Sequence, residues 1–116
     1  MDSDKIFTSL KSILAQYEPS LEVLHNKPNN YYLNILPKDK KAEFFGAVQI
    51  KKSYVSFHLM PIYYYPELLD PISQELKSKM QGKSCFNFKD TEHQLFAELQ
   101  SLTKQSFDKY KSLEKL

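Results

Sequence analysis

The chain contains no arginine. All 16 of its basic residues are lysine, set against 14 acids, for a formal net charge of +2. Arginine supplies the planar fork that grips guanine and phosphate through paired hydrogen bonds, whereas lysine offers a hydrated point charge. With no arginine and a pI near 8.5, the chain falls short of the strongly basic footprint of a nucleic-acid binder, and no nucleic acid is expected as a partner. Cysteine is almost missing too. Cys85 stands alone, so no intramolecular disulfide and no cysteine-based zinc cluster can form, as suits a reducing compartment. No run approaches the roughly 18 apolar residues of a membrane span. The opening MDSDKIFTSLKSIL is acidic and broken by polar residues, unlike a secretory signal. A cytoplasmic setting without a membrane partner is expected.

A phosphate loop is also absent, although Gly82-Lys83-Ser84 looks like the end of one. Such a loop needs a glycine five residues earlier, where this chain has Lys77, and it must lead from a strand into a helix. Here the predicted order is the reverse, so no helix N-terminus is available to aim backbone N–H groups at a phosphate. Lys83 reads as a solvated lysine.

What is present suits one domain over residues 1–116. Hydrophobic residues make up 41% and aromatics 14%, enough for a core that buries roughly two-thirds of the unfolded surface. Ile6, Leu10, Ile13, Leu14 and Tyr17 recur at helical spacing, predicting an amphipathic helix over 4–17, capped by Asp2 or Ser3 and followed by Pro19. SLEVLHN (20–26) alternates and reads as a short strand, with the turn KPNN after it. NYYLNIL (30–36) and AEFFGAVQIKK (42–52) flank the polar turn PKDKK, and a tight turn near Lys52-Ser53 leads into SYVSFHLM (53–60). In that strand Val55, Phe57 and Leu59 share one face, while Tyr54, Ser56 and His58 share the other.

Prolines 61, 66 and 71 exclude a regular strand from PIYYYPELLDP and favour an extended or turning path. ISQELKSKM (72–80) reads as a short helix capped by Ser73 or Asp70, with Gly82 placed to end it in the left-handed conformation. SCFNFK supplies a fifth strand with Phe86 and Phe88 on one face. A long helix is predicted from Thr91 to about Leu113, with Thr91-x-x-Gln94 as a capping box and Leu95, Leu99, Leu102 and Tyr110 turned inward. The expected fold class is α+β. It comprises an antiparallel sheet of about five strands, an N-terminal helix, a short helix before the last strand and a long C-terminal helix, with helices on one sheet face.

Candidate chemistry gathers around the fourth strand and the loop after it. His58 faces away from the core side, beside Tyr54, where an imidazole can bind a metal or move a proton. Tyr63, Tyr64 and Tyr65 lie in the proline-braced segment; tyrosines give broad, rigid contact area with a polar tip, as binding walls need. Cys85 points away from Phe86, and a nucleophilic role for it would require a neighbouring base and a depressed pKa. Glu67 and Asp70 bracket a leucine pair and join His58 as a candidate metal set. Asp90, Glu92 and His93 open the last helix, where acids complement the helix dipole. Lys38, Lys40 and Lys41 with Lys51 and Lys52 read as solvated hairpin ends. No HExxH, paired CxxC or EF-hand pattern occurs.

The combination KKSYVSFHLMPIYYYPELL … ELKSKMQGKSCFNFK resembles the YdhG-like family, a bacterial domain-of-unknown-function 1801 group. It shares a lysine-led hydrophobic strand, a loop into a helix, a GK-S-C-aromatic-x-F strand and a closing helix, over roughly residues 42–114. Some members of that family are described as frataxin-like iron chaperones, so the resemblance implies iron as a cargo. Frataxin-type binding uses a carboxylate-rich helix face; the first helix here offers Asp2 and Asp4, then Glu18 at its end.

The expected function is a small binding domain, a metal carrier or small-ligand binder. Its shallow pocket would be built from Tyr54, His58, Tyr63, Tyr64, Tyr65 and Cys85. Two alternatives stand beside it: a small enzyme using His58 or Cys85 in acid–base or nucleophilic chemistry, and a homodimeric interaction module rather than a monomer.

Overall fold

The computed structural model describes residues 1–36, 41–113 and 115. The polar turn expected at 37–40, with Lys38 and Lys40, lies outside the described residues. The chain opens with helix α1 (Ser3–Ala15), whose first turn is closed by the Asp2 carboxylate accepting from the Lys5 N–H at 3.1 Å. An acid at this position both satisfies a free N–H and complements the helix dipole. Leu10, Ile13 and Leu14, with Ile6 and Phe7, form its buried stripe.

Six antiparallel strands follow in the spatial order β1-β2-β3-β4-β6-β5: β1 (Glu22–Lys27), β2 (Asn30–Ile35), β3 (Glu43–Ile50), β4 (Val55–Leu59), β5 (Met80–Gln81) and β6 (Cys85–Phe88). The sheet is thus the antiparallel one expected, with one strand more. Met80 and Gln81 do not continue a helix; they pair with Phe86 and Cys85 and form a short edge. Gly82 does adopt a positive φ of 77°. Its task differs from the one expected, because it turns the chain between β5 and β6 after helix α3 (Gln74–Lys77) has already closed.

The PIYYYP segment takes the turning path expected of it, as a helical turn, α2 (Pro61–Tyr64), then a 3-10 turn over Pro66–Leu69. Proline suits the first helical position because its missing N–H has no partner to lose there, and the Tyr65 N–H closes the turn onto the Pro61 carbonyl at 2.9 Å. The long helix α4 runs His93–Ser112 with Glu92, not Thr91, at its cap, and no side chain bonds there. Glu92 is instead held by Lys79 at 2.8 Å. Ser73 caps α3 as expected, accepting from the Leu76 N–H, and its own N–H and hydroxyl both donate to the Glu98 carboxylate of α4.

Helices α1 and α4 pack on one face of the sheet. There Tyr31, Leu33, Phe45, Val48, Val55, Phe57, Phe86 and Phe88 are fully buried against Leu10, Leu14, Leu99 and Leu102. Gly46 allows α1 to come close: a Cβ at that position would stand 3.0 Å from the His58 carbonyl and 3.2 Å from Leu14 Cδ2. A register shift at Leu33/Asn34, opposite Gly46 and Phe44, offsets the alternation of β3, so Phe45 joins Gly46 and Val48 on the helix face and Phe44 takes the other. Phe45 goes under α4 against Phe107 and Tyr110, while Phe44 lies on the far face beside Tyr32 and His58.

Candidate functional site

The far face of the sheet is the one turned away from Leu10, Leu14, Leu99 and Leu102 of α1 and α4. Strand alternation places the polar and aromatic half of each strand there. One row of cross-strand partners runs His25, Tyr32, Ala47, His58, Cys85 over five strands. Phe44 bridges the row, with ring centroids 4.6 Å from Tyr32 and 5.2 Å from His58, and His25 meets Tyr32 edge-on at 5.7 Å. The rings are half-buried by one another. Neighbouring positions Asn30, Gln49, Ser56 and Asn87 make a parallel polar row.

His58 and Cys85 are direct partners on adjacent strands, a proximity that only the register creates. The His58 Nε2 shares a 2.8 Å hydrogen bond with the hydroxyl of Ser84, which is itself buried. Burial, and secondarily the Lys51 ammonium, lowers the His58 pKa, so the imidazole is neutral near pH 7. Burial likewise raises the Cys85 pKa, with Lys51 opposing. A protonated, half-buried thiol is a poor nucleophile. A neutral histidine bonded to a serine has the first element of acid–base chemistry, but no carboxylate hydrogen-bonds to His58 among the described residues to orient it.

The three consecutive tyrosines divide between two cavities. Successive residues of a helical turn diverge by about 100°, and the Tyr63 and Tyr64 rings stand almost perpendicular, 48% and 62% exposed. Tyr64 and Tyr65 join Glu43, Phe44, Met60, Tyr110 and Lys115 around a cavity of about 580 Å³. Tyr63 instead lines an apolar groove of about 520 Å³ with Ile62, Pro66, Leu69, Met80, Gly82 and Lys83. Tyr54 belongs to neither; it borders a third hollow with Lys79, Gln81, Asn87 and Lys89. The expected single pocket of Tyr54, His58, the tyrosines and Cys85 is therefore three separate places, with Phe44 as the link between the His58 row and the larger cavity.

In that cavity the Lys115 Nζ lies 3.5 Å from a Glu43 carboxylate oxygen and 5.3 Å from the centre of the Tyr110 ring. Lys109 stands over Tyr65 at 4.9 Å. Tyr110 is 1% exposed, and its pKa is raised well above the ordinary phenol value by burial first, then by Glu43, Tyr64 and Tyr65. It is a neutral phenol at every physiological pH. Glu67 and Asp70 sit exposed on the 3-10 turn, and no group of three or more His, Cys, Asp or Glu is arranged to hold a metal among the described residues. The candidate set of His58, Glu67 and Asp70 is not brought together.

Sequence reading missed Glu43, Phe44, Met60 and Lys115 as site residues and took Tyr110 for core alone. One signal was present: two adjacent phenylalanines in a strand must point to opposite faces unless a bulge intervenes. No local pattern links Glu43 to Lys115 across 72 positions. No family model, no curated protein and no solved structure matches the chain. Among the described residues no helix is long and apolar enough to cross a membrane.

Proposed function

We propose that the protein is a non-catalytic binding domain that takes a small organic ligand in the cavity between β3, the segment after β4 and the end of α4. One observation carries this reading: four aromatic rings from three elements, Phe44, Tyr64, Tyr65 and Tyr110, converge on about 580 Å³ of space with, among the described residues, a single acid and a single base. Ligand pockets run from about 300 to 1,000 Å³, with apolar walls and few polar groups. An enzyme reading draws on the His58–Ser84 bond, but among the described residues no carboxylate orients the neutral imidazole, and the Cys85 thiol is held protonated.

The resemblance to the YdhG-like family carries iron transport as the competing proposal. It finds no three-residue ligand group among the described residues. Native mass spectrometry of gently purified protein, kept away from chelators and metal columns, separates the two. An organic adduct, or none, fits the cavity reading, whereas stoichiometric iron overturns it; the same spectrum separates monomer from homodimer. A fragment screen read by amide shifts then locates the site. Perturbations are expected at residues 43, 44, 64, 65 and 110, and a screen whose hits all fall elsewhere removes the proposal.

A further inference from the structure

We infer that the cavity is a cage for an organic cation, an alkylammonium group, and that the chain's own Lys115 fills the cation position in the absence of ligand. This inference rests on the cavity being the ligand site. Phe44, Tyr64, Tyr65 and Tyr110 line one space, the Tyr110 ring already carries an ammonium over its face, and aromatic faces hold the negative end of the ring quadrupole, so such a group of rings attracts an ammonium. Glu43 is the one carboxylate among the lining residues described. It adds the full negative charge that complements such a ligand.

Lys115 marks the position. Its ammonium is held by the two partners an alkylammonium ligand would use, the Tyr110 face at 5.3 Å and the Glu43 carboxylate at 3.5 Å. Both side chains of that pair remain about one-third exposed, and the contact is long, the kind of pair that contributes little. The Lys115 backbone is fixed separately, its N–H donating to the Tyr110 carbonyl at 3.0 Å. Only the flexible four-carbon stem has to swing out.

The exchange is electrostatically even. One cation leaves as another enters, so the charge beside Glu43 stays balanced. An anionic ligand gains no such compensation, because it would approach Glu43 directly. Lys109, although stacked on Tyr65, is not a lining residue. The cavity therefore selects for positive charge, and a methylated ammonium, weakly hydrated and broad, fits an aromatic cage better than a bare one.

Choline and its uncharged isostere 3,3-dimethylbutan-1-ol provide the test, each titrated into the full chain and followed by amide shifts. Choline should perturb Phe44, Tyr64, Tyr65 and Tyr110 and bind about tenfold tighter than the isostere. Lys115→Gln, which empties the cation position, should tighten choline by roughly tenfold, and Glu43→Gln should weaken it by a similar factor. Equal perturbation of these residues by both probes leaves the cavity as a ligand site and overturns the cation inference. Unchanged choline affinity in Lys115→Gln overturns the role given to Lys115. If neither probe binds wild type or Lys115→Gln, the cation inference falls, and the fragment screen decides independently whether the cavity is a site at all.

Discussion

The two faces of the sheet are made by alternate residues of the same strands and hold different contents. On the helix side of β4 and β6 stand Val55, Phe57, Leu59, Phe86 and Phe88, each fully buried. On the other side of those strands stand Ser56, His58, Cys85 and Asn87. The helix side is dictated by folding: a sheet face under two amphipathic helices has to be apolar. The far side is under no such demand, since water would serve it as well. Yet it carries Tyr32, Phe44 and two histidines in contact, running into a cavity walled by three more tyrosines. Aromatic surface that the fold does not require is where recognition is to be sought.

The largest expected effect tests that division. Phe57→Ala should destabilise the protein by about 3–5 kcal/mol through the cavity it leaves, whereas Phe44→Ala should cost about 1 kcal/mol, the scale of the aromatic contacts it loses. Urea midpoints with unchanged slopes would measure both. Comparable losses would mean that the far face is core, and the contrast between the faces would collapse. The two glycines sharpen the same contrast at a smaller scale. Gly46→Ala forces a Cβ between the His58 carbonyl and Leu14 and should cost about 1–3 kcal/mol, as overpacking does. Gly82→Ala meets no atom within 4 Å, so only its positive φ is penalised, by about 1–2 kcal/mol.

These contrasts also mark how far the sequence could be read. Alternation set Phe57 opposite His58 within β4, and Phe86 and Phe88 opposite Cys85 within β6, because period-2 geometry is local; that the two strands share these faces came only with the register. Helical spacing did the same for Leu10 and Leu14, and for Leu95, Leu99 and Leu102. What failed was punctuation that serves two structures equally. Pro61 was read as excluding a regular strand, which it does, but not as the start of a helical turn, which it also suits. Gly82, with its positive φ, served a strand turn and not a helix end. The cavity was beyond local reading, since Glu43, Tyr64, Tyr110 and Lys115 meet only through tertiary packing. The tyrosine triplet looked like one wall and became two because a helical turn fans its side chains apart.

A smaller effect follows from His58. Its folded pKa lies below the ordinary 6.5 because burial disfavours the charged ring, so the unfolded chain takes up the proton first on acidification. Its contribution to stability is therefore complete above about pH 6.5 and is lost as pH falls through the folded pKa. Urea midpoints at pH 7.5 and pH 5 should drop toward acid in wild type, and by less in His58→Gln. An identical drop in both would mean that the far-face histidine is as solvated in the folded state as in the unfolded one.

The smallest expected change in stability belongs to Tyr64, and it bears most directly on function. At 62% exposed the ring loses little apolar burial when truncated, so Tyr64→Ala should shift the unfolding free energy by no more than about 0.5 kcal/mol. The same truncation removes one of four rings from the cavity, and a ring facing a bound cation is worth about 0.5–2 kcal/mol. Ligand affinity should then fall by up to about thirtyfold while the melting curve barely moves. Tyr63→Ala is the matched control: it lies next along the same turn, is similarly exposed, and faces a different groove. If both variants weaken binding alike, the ligand is reading the segment as a surface and not the cage. Loss with Tyr64→Ala alone would separate two adjacent tyrosines by the direction in which a single helical turn points them.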